Sequence, residues 1–352
     1  MTNYFNKFLN NYILTSIIAI VGGKLFIILY IPVPWLSGPL LAVTLFKNFL
    51  KREFTWKVQF RNFGLLIIGY TIGLSLTKST FKNIIAQLPF MFFLTFILLS
   101  LSIIIALLIS RLFKIDYNTS LLASLPGGLS QVIVIAEETK KVNLEIVTVS
   151  QSIRLILIVI ITPLIVKLSV SPSTNILKQD SPIDTENIKI FPSIFIFLAT
   201  SFIFIIILKK IKAPTPYLLG PIIGTTILQL LGIKGPELSY IIENGAQTLI
   251  GIHIGLMLNL SKITNKKKIL LSSFSSAMLL LISSTMLSLL LIFLQPINQS
   301  TSLLSLAPGG IDQMGIISRE VNANLAIVSS YQIFRLLSIF LIIPFIAKFL
   351  DE

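Results

Sequence analysis

Long apolar runs separated by short polar stretches fill the chain from end to end. A helix needs roughly 20 apolar residues to cross the hydrocarbon core of a bilayer, and the pattern therefore predicts an all-α polytopic membrane protein. Segment 11–31 is interpreted as the first span, because no small-residue cleavage site of a signal peptide follows it. The apolar segments lie near residues 11–31, 35–50, 62–77, 84–110, 117–136 and 144–168, and then near 190–208, 215–231, 244–260, 269–294, 301–319 and 322–348.

The two halves of the chain repeat one another at a nearly constant offset. The motif Pro-Val-Pro-Trp-Leu-Ser-Gly-Pro at 32–39 returns as Pro-Thr-Pro-Tyr-Leu-Leu-Gly-Pro at 214–221, an offset of 182 residues. The same offset aligns the Pro-Gly-Gly sequence at 126–128 with that at 308–310. The repeat predicts a first membrane repeat over 1–169, a polar linker over 170–189 and a second membrane repeat over 190–352.

The composition agrees with a membrane protein and argues against nucleic-acid binding. Hydrophobic residues make up 54% of the chain and charged residues 12%, whereas soluble domains carry about 25% charged residues. The formal net charge is +14, but the Lys and Arg residues lie mostly in short loops between apolar segments. That distribution orients membrane segments, so we expect a multi-pass protein of the cell membrane whose partner is the lipid bilayer and not nucleic acid.

The loop charges also predict how the segments cross the membrane. If all twelve segments span, Lys and Arg divide almost evenly between the two faces. If the Pro-Gly-Gly segment of each half enters and leaves on one face, 18 lie on the cytoplasmic side and 7 on the other. The positive-inside rule favours the second arrangement. It gives two inverted halves, each with about five full spans and one broken or re-entrant segment, and cytoplasmic termini. Which segment is re-entrant stays open.

The Pro-Gly-Gly sequences predict a break in the helix at membrane depth. Proline removes an amide donor and the glycines add flexibility, and the freed backbone groups must line water or be buried in protein. Matching breaks in two halves are typical of transporter sites; a packing kink is the alternative. Asp312, which replaces Ser130, is interpreted either as an N-cap or as a site for a coupling ion. The predicted substrate-binding residues are Pro126, Gly127, Gly128, Gln131, Pro308, Gly309, Gly310, Asp312 and Gln313.

Each half also places a Gln and an Arg three residues apart on one helix face, inside an apolar run. An unpaired Arg in the bilayer costs at least about 2.5–3.5 kcal/mol. Arg154 and Arg335 are therefore expected to face a cavity or to pair with an acid, with snorkelling to headgroups as the alternative. The candidate acids are Glu137, Glu138, Asp312 and Glu320. Among these residues, the predicted gating or anion-pairing set is Arg154, Arg335, Glu138 and Glu320.

Other candidate chemistry is sparse. The chain has no Cys and a single His, His253, which is interpreted as a packed polar residue in preference to a proton relay. These counts do not favour a copper or zinc site, and we predict no cofactor, metal site or catalytic residue. The Gly-x-x-x-Gly sequences at 69–73 and 251–255 predict close helix packing.

The doubled Pro-Gly-Gly segment, followed by a Glu and a Gln-x-x-Arg helix, resembles the AbrB-type membrane protein family over nearly the whole chain. The stretches that carry the resemblance are 123–163 and 306–344, together with the motifs at 32–39 and 214–221. The resemblance implies duplicated membrane halves. It also brings two functional labels, regulator of gene expression and ammonia monooxygenase. The chain lacks the metal ligands expected of a monooxygenase, and an effect on gene expression is expected to be indirect.

The predicted function is secondary transport of a small solute, anionic or not, with its site at the paired breaks. Two alternatives stay open: a membrane-embedded regulator or scaffold that senses a ligand, and an intramembrane enzyme. The identity of the substrate or coupling ion and the formation of a homo-oligomer stay open as well.

Overall fold

A computed structural model describes residues 2–50, 54–127, 132, 136, 139, 142–169, 190–211, 213, 215–258 and 265–351. Within these ranges the chain forms thirteen helices and no strand. The helices are α1 (Thr2–Ile28), α2 (Pro34–Leu50), α3 (Val58–Ser75), α4 (Lys78–Phe113), α5 (Tyr117–Ser124), α6 (Leu144–Ser169), α7 (Ile190–Lys210), α8 (Pro216–Leu230), α9 (Tyr240–Met257), α10 (Lys266–Leu294), α11 (Gln299–Leu306), α12 (Ile311–Glu320) and α13 (Leu325–Asp351).

Four of the described helices are long and apolar enough to cross a membrane. They are the Asn11–Ile28 part of α1, the Ile84–Phe113 part of α4, and the whole of α6 and α10. Large apolar side chains cover their outer surfaces; on α4, for example, Phe92 is 68% exposed and Phe96 is 62% exposed. An apolar surface of this extent is suited to lipid and not to water. The prediction of an all-helical membrane protein is therefore confirmed.

The helix break predicted at each Pro-Gly-Gly sequence is present in the described residues. In the second half α11 ends at Leu306, and the chain leaves the helix until α12 begins at Ile311. In the first half α5 ends at Ser124, and 125–127 are not helical. The short helices α5 and α11 have 8 residues each, and each is therefore about 12 Å long. Neither can cross a hydrocarbon core of about 30 Å alone.

The helices that bear Gly-x-x-x-Gly pack against helices of the other half. A Cβ added at Gly69 of α3 would lie 2.5 Å from the carbonyl oxygen of Leu218 in α8. A Cβ added at Gly251 of α9 would lie 2.5 Å from the carbonyl oxygen of Leu36 in α2. A real Cβ does not come this close to an oxygen atom, so the helix backbones can approach only because both positions are glycine. The predicted close packing is therefore confirmed. Helix α3 packs against α8 as α9 packs against α2, so the two halves are joined by two equivalent contacts.

A row of buried serines on α10 holds the broken segment of the first half. Ser276 Oγ lies 2.9 Å from Ser124 Oγ at the end of α5, and Ser273 Oγ lies 2.7 Å from Ser150 Oγ on α6. Small polar side chains of this kind let membrane helices approach closely and hydrogen-bond across their interface. Helices α5, α6 and α10 therefore form one packed unit around the first break.

The α2–α9 contact makes a prediction for two glycines of one helix. We expect Gly251→Ala to lower stability by about 1–3 kcal/mol, because the added methyl group overpacks a backbone contact. The matched control is Gly245→Ala on the same helix, where an added Cβ meets no atom within 4 Å. This control should be neutral or slightly stabilising. Thermal unfolding of the detergent-purified proteins measures both, and equal melting temperatures for the two variants would contradict the assigned contact.

Candidate functional site

The two short helices before the breaks are fixed at their N-termini by the same set of hydrogen bonds. In the second half, the side chain of Asn298 accepts from Thr301 N at 2.9 Å. Thr301 Oγ1 in turn accepts from Asn324 N at 2.9 Å, which ties α11 to the start of α13. In the first half the corresponding residues are Asp116, Thr119 and Asn143. Each short helix is therefore held at a fixed position relative to the long helix that follows its break.

The C-terminal carbonyls of α11 are satisfied by Gln332 and Arg335 of α13. The last carbonyls of a helix have no partner within the helix. Gln332 Nε2 donates to three of them, at 2.8, 3.3 and 3.1 Å, those of Leu304, Ser305 and Ala307. Arg335 donates from Nη1 to Ala307 O at 2.7 Å and from Nη2 to Gly309 O at 2.5 Å. The side chains of one Gln–Arg pair thus bind the backbone on both sides of Pro308.

The first half repeats this arrangement with Gln151 and Arg154 of α6. Gln151 Nε2 donates at 2.8, 3.2 and 3.3 Å to the carbonyls of Leu122, Ala123 and Leu125. Arg154 donates from Nη1 to Leu125 O, and from Nη2 to Gly127 O at 2.9 Å. The two Gln–Arg pairs therefore hold two breaks by equivalent bonds.

Both arginines are inside the protein, but their partners differ from those predicted. Arg154 is 5% exposed and Arg335 is 4% exposed, so the alternative of snorkelling to headgroups is wrong. Of the candidate acids, Glu137 and Glu138 lie outside the described residues. Neither Asp312 nor Glu320 forms an ion pair with either arginine. Because backbone carbonyls freed by the break need donors at this depth, the arginines bind carbonyl groups in place of carboxylates.

The two Gln–Arg pairs differ in one respect. In the second half, Arg335 Nη2 also donates to Gln332 Oε1. In the first half, Gln151 Oε1 and Arg154 Nε are both buried and have no hydrogen-bond partner in the part of the chain that the structure describes. Buried polar atoms of native proteins are nearly always paired. The first-half pair therefore retains hydrogen-bonding capacity that the second-half pair has used.

A cavity of about 70 Å³ lies where the two breaks face α3 and α9. We call it the break cavity. It can hold several water molecules or a small solute. Its walls are formed by Gly127, Arg154, Leu155, Pro308, Gly309, Gly310, Ile311, Asp312, Gln313 and Leu336 from the regions of the two breaks, and by Arg61, Thr215, Leu218, His253, Ile254 and Met257 from the helices opposite.

The start of α12 places an acid in the break cavity. The N-cap of α12 is Gly310, whose N–H donates to Gln313 Oε1 at 2.7 Å. Asp312 is the second residue of the helix and not its N-cap, so that alternative is wrong. Its carboxylate lies beside the backbone amides of Asp312 and Gln313. The partial positive charge of a helix N-terminus favours an acidic side chain at this position.

Arg61 and His253 face this acid from the opposite wall. Arg61 belongs to α3 and His253 to α9, and both line the break cavity. Arg61 is close enough to interact electrostatically with Asp312 and with His253. The break cavity therefore contains basic and acidic side chains that take no part in binding the carbonyls of the breaks. His253 lines the break cavity.

The Pro-x-Pro motifs put a strained residue before α2 and α8. Val33 has a φ of 55° and Thr215 a φ of 43°, a left-handed conformation that is a genuine outlier for β-branched residues. Thr215 lines the break cavity, and its buried Oγ1 has no hydrogen-bond partner. Strained backbone often occurs at functional sites. Thr215 is therefore a further candidate ligand-contacting residue.

The structure brings most of the predicted site residues together. Pro126 is buried next to Gly127, which lines the break cavity. Arg335 is buried and does not line the cavity. Glu320 ends α12 and is exposed. Gly128, Gln131 and Glu138 lie outside the described residues. The predicted residues that line the break cavity are Gly127, Arg154, Pro308, Gly309, Gly310, Asp312 and Gln313.

Sequence reasoning missed one ion pair. Arg319 at the end of α12 pairs with Glu243 at the start of α9, and Glu243 is buried. The signal was available in the repeat, because the 182-residue offset aligns Glu243 with Arg61. Two equivalent positions with opposite charges, each a few residues from the start of a helix, indicate a role beyond surface solubility.

Comparisons with known proteins agree with these features. A family model described as "Transition state regulatory protein AbrB" matches residues 7–351. "Putative regulator AbrB" of Escherichia coli (strain K12) is 26% identical over 335 residues, which cover 93% of this chain and 92% of the relative. "Uncharacterized protein YhjN" of Bacillus subtilis (strain 168) is 26% identical over 302 residues, or 80% of this chain and 76% of the relative.

The hydrogen bonds of Gln332 lead to a stability prediction. Gln332→Leu leaves three carbonyl groups with fewer donors, and an unsatisfied buried polar group costs about 1–3 kcal/mol. The expected result is a clearly lower melting temperature in detergent. The control is Ser330→Ala on the same helix, whose hydroxyl donates only to Ala326 O within that helix. If Gln332→Leu is no less stable than Ser330→Ala, the Gln–Arg pairs do not hold the breaks.

Proposed function

The chain belongs to the AbrB family, and from this membership and the geometry of the breaks we propose that it is a secondary transporter of a small solute. The observation that carries the proposal is the break cavity. Two broken segments from equivalent positions of the two halves meet at one cavity, and buried arginines hold both. Interrupted segments at matching positions are the typical location of a transporter's binding site.

The proposed architecture is a pair of inverted halves. Each half contributes five spans and one broken segment, as the loop charges favour, and both termini are cytoplasmic. The contacts of α3 with α8 and of α2 with α9 fit a two-fold relation between the halves, because each half supplies an equivalent helix to the other. In this topology the cavity residues Arg61 and Met257 lie towards the cytoplasmic face, at the start of α3 and the end of α9.

The Glu243–Arg319 pair is the proposed gate on the opposite face. In the same topology it lies where α9 begins and α12 ends, on the extracytoplasmic side of the break cavity. A gate on each face with a site between them is the requirement for alternating access, and this pair supplies the gate of the extracytoplasmic face.

The names of the family and of the E. coli relative favour a second function, regulation. A transporter that controls the level of an effector solute would change gene expression indirectly, so the two functions are compatible. Stable recovery of a soluble regulatory partner with the purified protein, without protein-dependent solute uptake, would favour a regulator that does not transport.

Uptake by liposomes containing the purified protein tests the proposal. We expect protein-dependent accumulation of at least one solute from a panel of organic anions, amino acids and amines. Arg154→Ala should abolish that uptake, provided that size-exclusion chromatography shows a folded variant. If a folded protein moves nothing in the panel, under proton and sodium gradients of either direction, the transporter proposal is wrong.

The proposed gate yields a separate prediction. Glu243→Gln removes the charge pair and should reduce coupled uptake at least tenfold, whereas the exchange of both charges, Glu243→Arg with Arg319→Glu, should restore part of it. Glu237→Gln, at an exposed acid of the loop before α9, is the control and should transport as the unmodified protein does. Equal uptake by Glu243→Gln and Glu237→Gln would exclude a gating role for the pair.

A further inference from the structure

The break cavity is lined by basic and acidic side chains. Arg154 belongs to the region of the first break and Arg61 to α3. Asp312 belongs to the helix that follows the second break. Among the described residues, the ion pair joins Arg319 to Glu243. None of the three side chains named above forms an ion pair within that part of the chain. The cavity therefore presents both basic and acidic groups to a ligand.

Arg154 has N–H donors that are not used by the carbonyls of the first break. A guanidinium group carries five N–H donors, and Arg154 uses Nη1 and Nη2 for the carbonyls of Leu125 and Gly127. Each Nη carries a second N–H that neither of these two bonds uses. Arg335, by contrast, does not line the cavity, and it binds Gln332 in addition to two carbonyls. Of the two repeat-related arginines, Arg154 is the one available to a ligand.

The position of Asp312 in the cavity disfavours a ligand that carries only a negative charge. Asp312 is fixed at the start of α12, where the helix N-terminus favours its carboxylate. An anionic ligand at that N-terminus would meet a like charge, and a cationic ligand at Arg154 would meet two arginines, since Arg335 lies close behind Arg154. Buried charges are strongly destabilising when they have no partner of opposite sign.

We propose that the break cavity binds a small zwitterion, with a carboxylate held by Arg154 and Arg61 and an ammonium group held by Asp312. This inference rests on the transporter proposal and names its substrate class. Both ends of such a ligand find an opposite charge at the same time, which neither a monocarboxylate nor an amine achieves. The cavity volume of about 70 Å³ suits a small amino acid.

Ligand-dependent thermal stabilisation of the full-length protein in detergent tests this inference. The probes are glycine, alanine and glutamate, each compared with its deaminated acid and its decarboxylated amine. We expect at least one amino acid to stabilise the protein with at least tenfold higher apparent affinity than either of its analogues. Stabilisation by a carboxylic acid equal to that by its amino acid would overturn the zwitterion inference.

Two variants that do not touch the Gln–Arg pairs assign the ends of the ligand. Asp312→Asn should weaken amino-acid binding at least tenfold and leave or strengthen the binding of the deaminated acid, because a negative charge is removed. Arg61→Gln should weaken both. Glu237→Gln, at an exposed acid of the loop before α9, is the control and should bind as the unmodified protein does. Unchanged amino-acid binding by Asp312→Asn would overturn the proposal.

The two proposals fail in distinguishable ways. Protein-dependent uptake of a monocarboxylate or an amine, with no preference for its zwitterionic parent, leaves a transporter but overturns the zwitterion. Uptake of no solute by liposomes overturns transport itself.

Discussion

Backbone carbonyl groups that leave a helix inside a membrane must find donors within the protein, and the rest of this structure depends on how that need is met. Each Pro-Gly-Gly sequence ends a short helix, and each is followed by a long helix that carries Gln and Arg. The five hydrogen bonds from each pair reach the last carbonyls of the short helix and the carbonyl of the first glycine. Non-helical backbone can then persist at a depth where it would otherwise be excluded.

The repeat supplies this device twice, and the two copies differ in their surroundings. Arg335 is enclosed and makes one bond more than Arg154, which lines the break cavity. Equivalent positions have also changed in character, with Val33 against Thr215 and Arg61 against Glu243. In the transporter that we propose, the conserved hydrogen bonds hold the frame, while the diverged residues supply the ligand contacts and the gates.

Much of the fold was predictable because its signals are local and periodic. Apolar runs gave the positions of the long helices, and Pro-Gly-Gly gave the breaks. The site was predictable only in part. The burial of Arg154 and Arg335 followed from the cost of charge in a bilayer, but their carbonyl partners did not, since an acid is an equally reasonable partner on sequence grounds. Arg61 and Thr215 reach the cavity because α3 and α8 pack against segments that are distant in the sequence. Such long-range packing leaves no local sequence pattern.

The central claim is that water and solute reach the paired breaks from one face of the membrane at a time. The chain contains no cysteine, so Met257→Cys in the break cavity can be labelled without background. A membrane-impermeant maleimide, applied separately to inside-out and right-side-out vesicles, measures access from each face. We predict labelling from the cytoplasmic face. No labelling is expected from the opposite face as long as Glu243 and Arg319 are intact. Labelling from neither face, while a cysteine at exposed position 237 reacts, would show that the break cavity is closed to both sides. That result would contradict access to the paired breaks.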